Sequence, residues 1–265
     1  MLGAIIGDIV GSRFEWDNYK GKDFEFFGKG CKFTDDTVMS LAICDAYLKG
    51  FQYEYEGENI LINCMQSLGR KYPNSGYGSH FKEWLVSDNP KPYFSYGNGA
   101  AMRISGCGFA SKSNDELKHM STLITGVSHN HPESYKAAEA TAVTIYLARV
   151  GNNKEAIKTF VRSTYYPLNF TLDEIRDNYE FDVSCQGSVP QAFEAFFESN
   201  DFEDAIRNAI SIGGDSDTIG AITGGIAEAY HGISDEMREK AKTYLDDTLL
   251  DILERFEKRY GAKLS

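Results

Sequence analysis

The strongest constraint on this chain is a run of small residues set inside helix-like sequence. Gly3, Gly7 and Gly11 recur at four-residue spacing in the apolar segment 2–12, which places them on one face of a helix. A second segment, 217–231, carries Gly220, Ala221, Gly224, Gly225 and Ala227. A glycine inside a helix costs about 1 kcal/mol relative to alanine. A helix that keeps several is expected to press against another backbone, an approach that a β-carbon would block.

Apolar periodicity near 3.6 residues predicts helices over 2–12, 36–49, 58–71, 78–86, 99–109, 114–126, 132–150, 153–164, 188–198, 202–211, 217–231 and 236–258. Pro132 suits a first helical turn, and Gly50, Gly151 and Gly232 fall where C-terminal caps belong. Strand alternation is confined to Phe24-Glu25-Phe26. The turn-rich segments 16–32, 72–78, 87–98 and 165–187 contain aromatic residues, which flexible linkers lack. The expectation is an all-α fold forming one domain over residues 1–265.

A net charge of −12 argues against a nucleic-acid or anionic-membrane partner. A phosphate-bearing small ligand stays possible, since a local pocket of backbone N–H groups suffices. The five cysteines are scattered with no Cys-x-x-Cys pair, and read as free thiols of a reducing compartment. No basic leader and no run of about 18 apolar residues is present, so a cytoplasmic monomer without a membrane span is expected.

The candidate chemistry lies in two acidic clusters about 180 residues apart, Thr34-Asp35-Asp36-Thr37 and Gly213-Gly214-Asp215-Ser216-Asp217-Thr218. Their carboxylates and hydroxyls are hard oxygen ligands, which suit Mg²⁺ or Mn²⁺ better than zinc. Helix capping explains most such clusters equally well. A second Asp-Asp-Thr, at residues 246–248, reads as the solvated side of helix 236–258 and shows that the tripeptide alone decides nothing. Around residue 215 the context differs: two glycines precede the acids and a small-residue helix follows. Glu15, between Phe14 and Trp16, is a candidate general acid, because apolar surroundings raise a carboxyl pKa. The glycine-rich loops 75–79 and 95–103 both lead into helices, where bare N–H groups can hold a diphosphate. His129 is a candidate pocket residue.

Taken in order, Gly7-Asp8-x-x-Gly11 with Glu15, Thr34-Asp35-Asp36-Thr37, Gly97-Asn98-Gly99-Ala100-Ala101-Met102-Arg103, Ser128-His129 and the cluster at 213–218 resemble the ADP-ribosylglycohydrolase family, from residue 3 to about residue 232. The resemblance implies a compact orthogonal multi-helix bundle with a centre of two Mg²⁺ or Mn²⁺ ions. It implies Thr34, Asp35, Asp36, Asp215, Asp217 and Thr218 as metal ligands. Glu15, Asp35 and Asp36 are implied as the catalytic carboxylates. Gly76, Gly78, Ser95, Tyr96, Asn98, Gly99 and His129 are implied as contacts to ADP-ribose, and residues 16–32 as a mobile segment over the site.

Cleavage at the distal ribose passes through an oxocarbenium-like transition state. Two cations would grip ribose hydroxyls and activate a water, while Glu15 handles a proton. The expected substrate is an ADP-ribosylated protein or small conjugate, arginine-linked first, with serine-linked and acetyl-linked acceptors as alternatives. A non-catalytic ADP-ribose reader, a metal-dependent phosphohydrolase and a structural helical protein are the rival readings.

Overall fold

A computed structural model describes residues 1–53 and 57–261. Its helices are α1 (Leu2–Gly11), α2 (Asp35–Leu48), α3 (Gly57–Lys71), α4 (Ser79–Val86), α5 (Gly99–Met102), α6 (Ser105–Ala110), α7 (Asn114–Gly126), α8 (Pro132–Arg149), α9 (Lys154–Thr164), α10 (Leu172–Ile175), α11 (Cys185–Phe197), α12 (Phe202–Ser211), α13 (Ser216–His231), α14 (Asp235–Lys242) and α15 (Asp247–Tyr260). Among the described residues no strand forms, and Gly97 with Ser184 makes an isolated bridge.

The small-residue helices are the axis of the fold. Every residue of α1 is buried, and α13 is buried from Ser216 through Ala227. The two run antiparallel with glycine facing glycine: β-carbons placed on Gly3 and Gly7 would strike the carbonyls of Gly224 and Gly220. One placed on Gly220 would lie 2.6 Å from the Gly7 carbonyl oxygen. The helical cost of these glycines is therefore offset by close backbone packing. Gly11 meets Ser216 and Asp217, so the C-terminus of α1 abuts the N-terminus of α13. Around this pair α13 also packs on α8, α11 and α12, and α2 packs on α1, α3, α6 and α15.

Several boundaries differ from expectation, each for a local reason. The segment 99–109 is broken into α5 and α6 by a turn at Arg103 and Ile104, both buried. Helix 188–198 begins earlier, at Cys185, because the Ser184 hydroxyl accepts the Gly187 N–H at 3.1 Å and caps it. Within the turn-rich segment 165–187, a capping box between Thr171 and Glu174 starts the short α10. The segment 236–258 is two helices, since the Asp246 carboxylate accepts the N–H groups of Thr248 and Leu249 and starts α15 afresh. Phe24-Glu25-Phe26 forms no strand. Phe24 packs instead on Phe14 and Tyr19, and the Arg207 guanidinium lies over its ring and donates to its carbonyl. All five cysteines are free. No helix among the described residues is long and apolar enough to cross a membrane.

Candidate active site: an acid-lined cleft at three helix ends

The first acidic cluster is held by a residue of α1. The carboxylate of Asp8, fully buried, accepts the Thr34 N–H at 2.9 Å, the Thr34 hydroxyl at 2.7 Å and the Thr37 N–H at 3.0 Å. The Thr37 hydroxyl donates to it as well. Asp8 thus ties down the N-terminus of α2, where Thr34 is the cap and its oxygen faces the Asp36 N–H at 3.4 Å. These four donors work against burial, which nonetheless holds the Asp8 pKa above the usual carboxylate range.

The second cluster is delivered by Gly213 and Gly214, whose φ angles of 70° and 72° are left-handed. A side chain on Gly214 would collide with Tyr179, and its N–H donates to the Asn18 side chain at 3.1 Å. Asp215 follows as the N-cap of α13, and its carboxylate receives the Asn98 amide at 2.6 Å. Asn98 is itself held by Ser188 at 2.9 Å. The Thr218 hydroxyl faces the Asp36 carboxylate at 3.4 Å. Two clusters far apart in sequence therefore meet at the end of α1.

The acids at this meeting point form two groups, Asp8 with Asp36 and Asp217, and Glu15 with Asp215 and Asp217. Within each group the oxygens lie within 4.8 Å of one another. So many carboxylates in one buried place cannot all ionise without a countercharge. Burial, then Asp217 and Asp8, push Asp36 well above the carboxylate range. Burial and Asp215 do the same to Asp217, and burial, Asp217 and Asp8 do so to Asp35. Asp215 is pushed up to about 6 by burial, against the hydrogen bonds from Asp217 and Asn98. Glu15, half-buried, is pushed up to about 7 by burial and by Asp217, with Lys32 opposing.

These residues fit a divalent metal. The Asp36 Oδ1 atom is buried without a hydrogen-bond donor. A cation would satisfy it and would restore the raised carboxyls to their ionised form. An all-oxygen donor set matches Mg²⁺ or Mn²⁺.

Above the acids opens a cleft of about 400 Å³, lined by Glu15, Asp35, Asp36, Asp215, Asp217 and Thr218 on its floor side. Gly76, Gly78, Ser95, Asn98, Gly99 and His129 also line it. Asp35 stands beside the two close groups, with Gly76 against its carboxylate. Thr34 is buried behind the floor, its hydroxyl between Asp8 and Asp36. Tyr96 does not line the cleft; it is exposed, with its ring against His131. The 95–98 loop is pinned by Asn98 N–H to the Val183 carbonyl at 2.8 Å and Cys185 N–H to the Tyr96 carbonyl at 2.9 Å.

One buried relay fixes His129. The Arg103 guanidinium, fully buried, donates to the Ser128 hydroxyl at 2.7 Å. That hydroxyl lies within hydrogen-bond distance of His129 Nδ1, at 2.9 Å. The other ring nitrogen, Nε2, lies beside Gly97 and Gly99. Burial and the Arg103 charge hold the His129 pKa well below its ordinary value, so the ring is neutral and turns its Nε2 edge to the glycines of the cleft.

Sequence reasoning gave no role to Asp8, Asn18 or Arg103. Asp8 had a visible signal, an acid set within a glycine face. Arg103 had one in retrospect, a charge inside a run of small residues. Asn18 had none, because its partner Gly214 is distant in sequence.

The family profile of the ADP-ribosylglycohydrolases matches residues 1–263. The chain belongs to the ADP-ribosylglycohydrolase family. Among curated relatives it is 26% identical over 303 residues to ADP-ribosylhydrolase ARH3 of Xenopus tropicalis, covering 88% of this chain and 86% of that one. It is also 26% identical over 264 residues to ADP-ribosylarginine hydrolase Tri1 of Pseudomonas putida (strain GB-1), covering 88% and 70%. A solved structure titled as an ADP-ribosylglycohydrolase-related protein complex shares the fold, with a TM-score of 0.71 at 22% identity over 98% of this chain and 95% of that one. This ADP-ribosylglycohydrolase is thus an all-α enzyme of the glycosidase type, and its acids cluster where a metal could be held.

Proposed function

We propose that this chain is a divalent-metal-dependent ADP-ribosyl hydrolase, which cleaves the bond between the distal ribose and an arginine-linked acceptor and releases ADP-ribose. The observation that carries this reading is the pair of buried acid groups sharing Asp217 beneath an open cleft. Two Mg²⁺ or Mn²⁺ ions would be held by Asp36, Asp215 and Asp217, with Thr34, Asp35 and Thr218 beside them. When bound, such ions supply Lewis acidity toward ribose hydroxyls and water.

The chain's own residues supply the rest. Glu15 has a pKa of about 7, which suits moving a proton to the leaving group or from the attacking water at neutral pH. Asn98 keeps Asp215 oriented by its amide. Gly76, Gly78 and Gly99 carry no side chain toward the cleft, so a diphosphate could approach their backbone. His129 offers a neutral ring nitrogen, and Ser95 a hydroxyl, to the same ligand. An acidic protein can take an anionic ligand this way, because the local donors are dipoles and not net charge.

A serine-linked or acetyl-linked acceptor is the runner-up, since Tri1, whose name specifies arginine, is no more similar than ARH3, whose name specifies no acceptor. The test is release of ADP-ribose from arginine-linked, serine-linked and acetyl-linked conjugates in Mg²⁺, in Mn²⁺ and in EDTA. The expected result is metal-dependent turnover, fastest on the arginine conjugate. Binding of ADP-ribose without any turnover would overturn the hydrolase reading in favour of a reader, and release of phosphate would favour a phosphohydrolase.

A further inference from the structure

The mouth of the cleft carries two aromatic rings that no part of the metal site uses. Two of the chain's acid–aromatic–acid triplets, Glu15-Trp16-Asp17 after α1 and Glu180-Phe181-Asp182 before α11, put residues into the cleft lining. The fold brings them together. The Trp16 and Phe181 rings stack with centroids 4.9 Å apart and planes 25° from parallel, and both line the cleft. Neither is a core residue: Trp16 is 78% exposed and Phe181 41%. Val183, 54% exposed, extends the same apolar rim.

Two large aromatic rings left in water beside a catalytic carboxylate need a reason. Stacking on each other covers only one face of each. The acids around them set the chemistry of what covers the rest. Asp17 and Glu180 are exposed, Glu15 faces the cleft, and Asp182 is partly exposed with one oxygen on the Ser184 N–H. Of the nearby cations, Lys20 donates to the carbonyls of Tyr179 and Ile212 while its charge also acts on Glu180, and Lys32 acts on Glu15. Against these two cations stand four acids, Glu15, Asp17, Glu180 and Asp182, so the segment around the ring pair is aromatic and net negative.

The geometry points to a guanidinium subsite: the Trp16–Phe181 pair, beside Glu15 in the cleft and with exposed Asp17 and Glu180 adjacent in the chain, receives the planar cation of the acceptor arginine. A guanidinium stacks on an aromatic face and is drawn to its negative quadrupole, and its N–H edges find carboxylates. A serine hydroxyl or an acetyl ester offers neither a plane nor a charge. The acceptor would then leave across Trp16 while the ribose stays over the acids, with Glu15 at the junction. This inference rests on the hydrolase reading above and names its acceptor from the rim.

The experiment compares kcat/KM on matched arginine-linked and serine-linked ADP-ribosyl peptides for the wild type, Trp16→Ala and Trp16→Phe. Trp16→Ala should lower the arginine-to-serine preference about tenfold, chiefly through KM, and Trp16→Phe should restore most of it. An unchanged preference in Trp16→Ala would overturn the subsite. A wild type that prefers the serine-linked peptide would also overturn it while leaving the hydrolase reading intact. A wild type that turns over neither peptide would sink the hydrolase reading itself and the subsite with it.

Discussion

Asp-Asp-Thr occurs twice in this chain, at residues 35–37 and 246–248, and both copies sit at the start of a helix. At α15 the Asp246 carboxylate is exposed and fully occupied: it takes the N–H groups of Thr248 and Leu249 and the Tyr72 hydroxyl. Burial raises its pKa, but the hydrogen bonds together outweigh it and lower Asp246 from its ordinary value. At α2 the capping work is done by Thr34 and Asp8, which leaves Asp36 buried with an oxygen that no donor reaches. Its neighbours are Asp8 and Asp217, and its pKa is driven up. One copy is a helix cap whose needs are met by the protein. The other is a surplus of negative charge whose needs are met only from outside. The tripeptide is the same, but its register differs: Asp246 is itself the N-cap of α15, whereas at α2 the cap is Thr34 and Asp36 is left to face Asp8 and Asp217.

Substitutions can break that contrast. The largest effect is expected for Asp217→Ala, which removes the carboxylate shared by both acid groups: turnover of an ADP-ribosyl substrate should fall on the order of 10³-fold or more with the fold retained. Turnover within a few-fold of wild type would remove the site from this place. Glu15→Gln should lower kcat by about 10²- to 10⁴-fold, while ADP-ribose affinity measured by calorimetry stays near wild type. A loss confined to affinity would leave Glu15 a binding residue.

pH separates the two regions further. Asp215 and Glu15 titrate at about 6 and 7 in the fold, above their values in an unfolded chain, so the folded state binds protons more tightly. Stability of the chelator-treated protein should therefore be greatest below pH 4 as far as these groups act, and fall as pH rises from about 4 to 7. Added Mg²⁺ or Mn²⁺ should flatten that fall, as read by thermal melts across the range. A slope indifferent to the cation would contradict the account. The smallest effect belongs to the other copy: Asp246→Ala should cost about 1 kcal/mol of unfolding free energy as a lost cap and leave turnover unchanged.

How much of this was legible in the sequence depended on how local the cause was. The glycines of α1 and α13 announce close helix packing because an interior glycine is costly without it, although not which helix each would meet. Thr34, Gly213 and Gly214 are readable because capping and left-handed turns have residue signatures. The break at Asp246 is readable in principle, since an aspartate that bonds its own backbone starts a helix, but apolar periodicity runs straight through it. The Arg103–Ser128–His129 relay and the Asp8 clamp join residues remote in sequence, and only packing brings them together. The rim pair Trp16 and Phe181 is of the same kind.

The measurement that bears most directly on the contrast is Mn²⁺ and Mg²⁺ binding by calorimetry to the wild type, Asp36→Asn and Asp246→Asn. The account predicts that the wild type and Asp246→Asn bind alike, and that Asp36→Asn loses most of the binding heat. Undiminished binding by Asp36→Asn would place the metal elsewhere and contradict the account.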